Sequence, residues 1–431
     1  MSRSFSSFTI SDSQYTKQQM LNWASQFNIC AFLDNHHYNL AHHSIEALVA
    51  VGATRSVEAS AGNAFAQLKT FFEESKDWVF GHLAYDLKNE VESVSSSHPD
   101  GIRFPDLFFF VPEIILQLNG DRLEIHSRNI PPKDIFAQVI SSEPINDPAS
   151  KAPSIKHRFS KEDYITTVRH LQKHILRGDC YEINFCQEFY SDEVTINPVK
   201  IYRSLSKASP NPYSAFYRLN DRYLLCASPE RYLRKKGRQL ISQPIKGTWH
   251  RDFISKKEDE KNRDRLFNSQ KDRAENVMVV DLVRNDLSKV CEKGSVKVDE
   301  LFGIYSFPQV HQMVSTVSGE LKNDKHWVEA IRASFPMGSM TGAPKKKVME
   351  LIERYEKTRR GIFSGAIGYI QPDGDFDFNV VIRSLLYNST NQYLSFQAGS
   401  GITFYSDAGK EYEECLLKAD AIKKVLAGQA E

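Results

Sequence analysis

The run LFFFVPEIILQL, Leu107 to Leu118, limits what this 431-residue chain can fold into more than any other stretch. It is the most apolar segment, yet Pro112 and Glu113 interrupt it, and it is far shorter than the roughly 20 residues a membrane helix needs. It predicts one or two strands buried in a globular core. A composition of 41% hydrophobic and 25% charged residues fits such a core. The length allows two or three domains, or one large α/β body with a small N-terminal part and a deep cleft. MSRSFSSFTISDSQ lacks the apolar centre of a signal peptide.

The 55 basic and 54 acidic residues leave a net charge of +1. That balance provides no broad field for nucleic acid or an anionic membrane, so any bound anion must be held locally. Cys30, Cys180, Cys186, Cys226, Cys291 and Cys415 form neither a CxxC pair nor a zinc-ligand cluster. They read as reduced, mostly buried thiols of a cytoplasmic protein. Cys180 and Cys186, in one strand-like stretch, are expected on the same face.

Residues 1–141 read as an N-terminal α/β segment integrated with the core, 142–157 as a linker rich in proline, and 158–431 as the catalytic domain. In the first segment NICAFLDN and WVFGHLAYDL read as strands, the second with a close-packing Gly81. After the linker, Ser160 with Asp163 resembles a helix cap. Tyr164, Val168, Leu171 and Ile175 then form one helical face, Gly178 ends the helix, and YEINFCQEFY is a strand. Asp272–Lys289, Pro344–Lys357 and the segment from Asp407 carry helical apolar spacing. Two strands joined by QPDGDFD lie between Gly365 and Leu386. The charge run KKEDEKNRDR, Lys256 to Arg265, is either a lid or partner surface, or a solvated helix face.

Three constellations suggest chemistry. Glu411, Glu414 and Lys418 fall within about a 60° wedge of the last helix, just after the glycine-rich AGSGI, whose Gly399 and Gly401 suit close backbone approach to an anion. Asp272 and Glu275 form a second acidic pair at i,i+3, and oxygen ligands from two helices suit Mg²⁺. In PIKGT, a partly buried Lys246 would have a lowered pKa and act as a nucleophile. Each also has a bland reading: a solvated face with a Glu414–Lys418 pair, ordinary surface charge, and a lysine in a turn. HHYNLAHH, His36 to His43, lacks carboxylate-supported metal spacing, and DGDFD fits a hairpin turn better than a Ca²⁺ loop.

Together with SPERY, DRAENVMVVDLVRNDLSKV, SFPMGSMTGAPK and GSGITFYSDAGKEYEECLLKA, these motifs resemble the chorismate-utilising enzymes. That family includes anthranilate synthase component I, aminodeoxychorismate synthase component I, isochorismate synthases and salicylate synthases. The likeness runs in family order from about Ser160 to the C-terminus. It implies an α/β fold: a large two-sheet antiparallel sandwich with outer helices and the active site in a central cleft. It also implies Glu275 and Glu414 as Mg²⁺ ligands, with Asp272 and Glu411 close by. Arg383 and Lys418 would hold a substrate carboxylate, with Gly399 and Gly401 as backbone donors. Thr248 and Ser339 would line the pocket, and Glu230 would be the general acid for the C4 hydroxyl.

Lys246 separates the siblings, since anthranilate relatives usually carry Ala there. The implied reaction is amination of chorismate at C4 to 4-amino-4-deoxychorismate, for para-aminobenzoate and folate, through a covalent Lys246 intermediate. The alternative is anthranilate synthase component I, and a rival of another class is a non-catalytic scaffold that only activates a glutaminase. No amidotransferase domain is visible, so ammonia is expected from a separate glutamine amidotransferase subunit. Two positions depart from the family. Gln312, preceded by His311, stands where many members have His, and Glu182 where water-activating relatives have Lys. Glu182 is assigned either to the ammonia side, accepting a proton from ammonium, or to a structural role in its strand.

Overall fold

The split in the most apolar run is where the chain changes sheets. Leu107–Val111 joins one sheet and Ile114–Asn119 the other, with Pro112 and Glu113 between them. The computed structural model describes residues 3–38, 45–143, 152–307 and 310–429. Among them the strands form two antiparallel sheets, of twelve and ten strands. This is the two-sheet sandwich that the resemblance implies.

Side-chain alternation explains why so many strands are apolar on both faces. On Tyr213–Leu219, Ala215 and Tyr217 enter the core shared by the two sheets, while Phe216 joins a second core. That second core lies under the outer helices and includes Trp23, Tyr164, Leu171, Tyr202, Leu351 and Ile422. A sheet covered on both sides reads as continuous hydrophobic sequence rather than strict alternation. Gly81 belongs to the tightest part of the sandwich, because a Cβ there would collide with the backbone of Phe108.

The first 140 residues supply strands to both sheets. Ile29–Asp34 pairs with Tyr213–Leu219, and Val79–Leu83 pairs with Ala366–Ile370. Of the 142–157 stretch, residues 144–151 lie outside the described residues, and Lys156–His157 is not linker but a short strand against Phe189 and Tyr190. The helices occur where periodicity predicts them: Lys161–Leu176 capped by Ser160, Gln270–Ser288, Lys345–Tyr355 and Ala408–Leu426. The charge run forms the helix Lys256–Asn268, in which only Leu266 is buried.

Two local expectations are corrected. Cys180 precedes the strand Glu182–Ser191 and packs in the helix-side core, whereas Cys186 points into the inter-sheet core. The period of two does not extend through the turn before the strand. Between Gly365 and Leu386 there are two complete strands and the start of a third, Ser384–Asn388. All six cysteines are free and buried. His36 and His37 sit by Asp34 and Glu46 around the buried Lys17 ammonium, while His42 and His43 lie outside the described residues. No helix among the described residues is long and apolar enough to cross a membrane.

Candidate active site

Two neighbouring crossings between the sheets create the acid side of the site. After Arg222–Ser228 the chain leaves the twelve-stranded sheet through Pro229 and Glu230 to start Arg231–Lys236 in the other. It returns through Arg383, between Phe376–Val380 and Ser384–Asn388. Backbone bonds from Val380 N–H to Glu230 O (3.0 Å) and from Ala227 N–H to Arg383 O (3.3 Å) lock the crossings together. Arg383 adopts φ 50°, a left-handed conformation that a non-glycine residue keeps only when its surroundings fix it.

Glu230 is buried, and Ser339 Oγ donates to its Oε1 at 2.6 Å. Burial pushes the carboxyl up to about 7; the Ser339 bond and the charges of Lys246 and Arg383 pull it down only in part. Ser339 sits in the turn Gly338–Met340. The next residues, Gly342 and Ala343, pair with Glu182 and Ile183, which docks this loop against the opposite wall. Burial pushes the Arg383 guanidinium down to about 10, with Glu230 holding it up.

Lys246 lies at a break in strand register between Ile245 and Thr248. Gly247 makes the break possible: its φ is +92°, and a Cβ would come within 2.9 Å of the Asp272 side chain. Helix Gln270–Ser288 can therefore pack directly on the Lys246 strand. Lys246 Nζ donates to Glu182 Oε1 at 2.6 Å, and both residues are buried. Gly401, facing Glu182's strand, leaves room for this pair, since a Cβ there would lie 3.1 Å from Lys246 Nζ and against Glu182 Oε1. Thr248 is exposed farther along the same strand.

The expected lowering of the Lys246 pKa is overturned. Burial does favour the neutral amine, but the carboxylates of Glu182, Glu275 and Glu230 outweigh it and raise the pKa. The amine rests as an ammonium with its proton directed at Glu182. Glu182 thus faces Lys246, and its other oxygen is buried without a hydrogen-bond partner.

The acidic wall comes from two helices. Glu275 is pushed up to about 7 by burial, with Lys246 opposing. Glu411 is buried and Glu414 half-buried. Burial raises Glu414, but Lys418, Lys271 and Lys246 together carry it below its usual value. Lys418 Nζ reaches Glu414 at 2.8 Å and the Gly399 carbonyl at 3.0 Å, so Gly399 meets this lysine through its C=O. Asp272 lies against Gly247, one turn before Glu275.

No three carboxylate, imidazole or thiol groups among the described residues converge as a ready metal cage. Mg²⁺ needs only one or two carboxylates when water and substrate complete its shell. Glu275 Oε1 and Glu411 Oε2 are buried oxygens without hydrogen-bond partners, and the donor set is all carboxylate, so the residues fit a hard cation.

One residue of the acidic wall, Lys271, carries no assignment from the sequence. Lys271 stands among Glu275, Glu411 and Glu414; its i,i+4 spacing to Glu275 was the available signal. Gln312 is fully buried with neither amide atom bonded, while the adjacent His311 is tied to Ser306 and Asp259. A separate small pocket of about 60 Å³, lined by Asp34, Glu46, Tyr213, Asp377 and Asn379, shares no residue with this site.

The chain belongs to the chorismate binding enzyme family, whose model matches residues 8–424. Aminodeoxychorismate synthase component 1 of Klebsiella aerogenes is 35% identical over 346 residues, covering 80% of this chain and 76% of that protein. Anthranilate synthase component 1 of Thermus thermophilus is 33% identical, covering 81% and 77%. Among solved structures, anthranilate synthase component I of Streptococcus pneumoniae superposes with a TM-score of 0.77 at 25% identity, covering 90% and 95%.

Proposed function

We propose that the chain aminates chorismate at C4, forming 4-amino-4-deoxychorismate, as aminodeoxychorismate synthase component I does. The observation that carries this reading is the buried Lys246 ammonium 2.6 Å from Glu182, a nucleophile with a proton acceptor already in hydrogen-bond contact. Glu182 takes the proton from Lys246 Nζ. The amine then bonds to C2, the two conjugated ring double bonds shift in turn (C1=C2 to C1=C6, C5=C6 to C4=C5), and the C4–O bond breaks. Glu230, raised by burial to about 7 so that a substantial fraction keeps its proton near neutral pH, gives that proton to the leaving hydroxyl, which departs as water. Ammonia bonds to C4, both double bonds shift back, and the C2–Nζ bond breaks to release Lys246 as the neutral amine, which regains its proton from Glu182.

Arg383, Lys418, Ser339 and Thr248 are assigned to substrate positioning, with the backbones of Gly399 and Gly401 beside them. Glu275 and Glu414 would hold Mg²⁺, with Asp272 and Glu411 near, and the bound ion supplies positive charge for the ring carboxylate. Ammonia is supplied by a separate glutamine amidotransferase subunit. The six free, buried thiols suit a reducing, cytoplasmic setting.

The test is product identity. The chain is incubated with chorismate, Mg²⁺ and an ammonium salt, and the product is resolved by mass and chromatography. The expected product is 4-amino-4-deoxychorismate; anthranilate would assign the chain to its sibling activity, and no turnover would favour the scaffold.

A further inference from the structure

Lys271 belongs to none of the roles assigned above, yet it sits at the centre of the acidic wall. Its Nζ lies 3.1 Å from Glu411 Oε1, 3.8 Å from Glu275 Oε1 and 3.9 Å from Glu414 Oε2. Only the first of these is a hydrogen bond. Lys271 starts from the first turn of Gln270–Ser288, one turn before Glu275, so the two side chains stack at i,i+4. The glutamates at 411 and 414 approach from the other helix.

Carboxylates this close, two of them largely buried, repel one another strongly unless a cation stands between them. The Lys271 ammonium stands there, on a side chain that is 50% exposed. It is held differently from Lys418, which makes two close contacts, to Glu414 and to the Gly399 carbonyl. A long, half-exposed side chain shared loosely among three acids is positioned to leave.

We propose that Lys271 is a built-in counter-ion that occupies the divalent-cation position of the Glu275–Glu411–Glu414 cluster and must swing toward solvent when a metal ion binds. The proposal rests on the reading of these carboxylates as the Mg²⁺ site. Lys271 then has two opposed effects: it stabilises the metal-free chain, and it weakens metal binding. A lysine that merely decorated the surface would have neither effect. One that helped bind the metal's other ligands would strengthen metal binding instead.

The experiment titrates Mg²⁺ into the metal-stripped full chain by calorimetry, without substrate, for wild type, Lys271→Met and Lys271→Gln. Both variants are expected to bind Mg²⁺ roughly two- to fivefold more tightly, the scale of losing a partly exposed competing ion pair. In chelator both should melt below wild type, and Mg²⁺ should raise their melting temperature more than it raises that of wild type. If a variant does not stay folded without metal, chelator competition starting from the Mg²⁺-loaded chain gives the same affinity ratio. Equal or weaker Mg²⁺ affinity in the variants, beside normal binding by wild type, overturns the role of Lys271 alone. Failure of wild type itself to bind Mg²⁺ overturns both this role and the metal reading beneath it.

Discussion

Glu230 and Glu182 are the same residue type, both almost fully buried, and both feel the charge of Lys246. Their partners differ. Glu230 has a neutral hydroxyl at 2.6 Å, and burial raises it to about 7. Glu182 has an ammonium at 2.6 Å. Burial holds the proton on Glu230 against the opposing pull of the Ser339 hydroxyl, whereas Glu182 accepts its hydrogen bond from a buried cation. The pair teaches that two equally buried carboxyls can be given opposite roles by whether a cation is in hydrogen-bond contact. In the proposed reaction Glu230 gives a proton to oxygen and Glu182 takes one from nitrogen.

The largest effect is expected at the proposed metal site. Glu414→Gln should abolish turnover with the fold intact, because a hard cation on two carboxylates loses most of its site with either one. Circular dichroism with steady-state assay checks this, and near-normal activity at ordinary Mg²⁺ would remove Glu414 from the site. Next, Glu230→Gln should slow loss of the C4 hydroxyl by about two to four orders of magnitude, the usual range for a lost general acid. In wild type that step should weaken as pH rises through about 7, where Glu230 loses its proton. A rate flat across that range in single turnover would contradict the assignment.

A smaller defect, about ten- to a hundredfold, is expected for Glu182→Gln. Its location distinguishes the two readings of this residue. If Glu182 serves Lys246, the defect appears in Lys246 alkylation with no ammonium present. If Glu182 serves ammonium, alkylation is normal and the defect grows at low pH only when ammonium is the nitrogen source. The smallest effect is on stability. Glu230's folded pKa lies above its ordinary value, so the native state binds the extra proton and loses stability as pH rises from about 4.5 to about 7. The melting temperature of Glu230→Gln relative to wild type should therefore increase across that window; a constant difference would show that burial does not shift this carboxyl.

Most of the framework was legible in the chain. Helices announced themselves by caps and spacing, as at Ser160 and Asp407, because those signals are local. The motif residues Lys246, Glu230, Ser339, Glu275 and Glu414 come from five separate segments, and the resemblance grouped them before any geometry did. What could not be read was long-range. Nothing near Lys246 in sequence announces Glu182, 64 residues earlier, so burial alone gave the wrong direction for the lysine's pKa. Lys271 was hidden for the same reason: its most informative neighbour, Glu411, lies 140 residues away. The crossing that sets Glu230 beside Arg383 depends on which sheet each strand joins, and a strand's own residues do not specify that.

The central claim is that Lys246 becomes covalently bonded to the substrate ring, and intact-mass measurement tests it most directly. Wild-type chain is incubated with Mg²⁺ and a chorismate analogue carrying a good leaving group at C4, without ammonia, and then mapped by peptide. The account predicts one adduct, on Lys246 and no other lysine, absent from Lys246→Ala and formed more slowly in Glu182→Gln. A wild-type chain that never labels at Lys246, together with a Lys246→Ala variant that makes 4-amino-4-deoxychorismate at full rate, would contradict it.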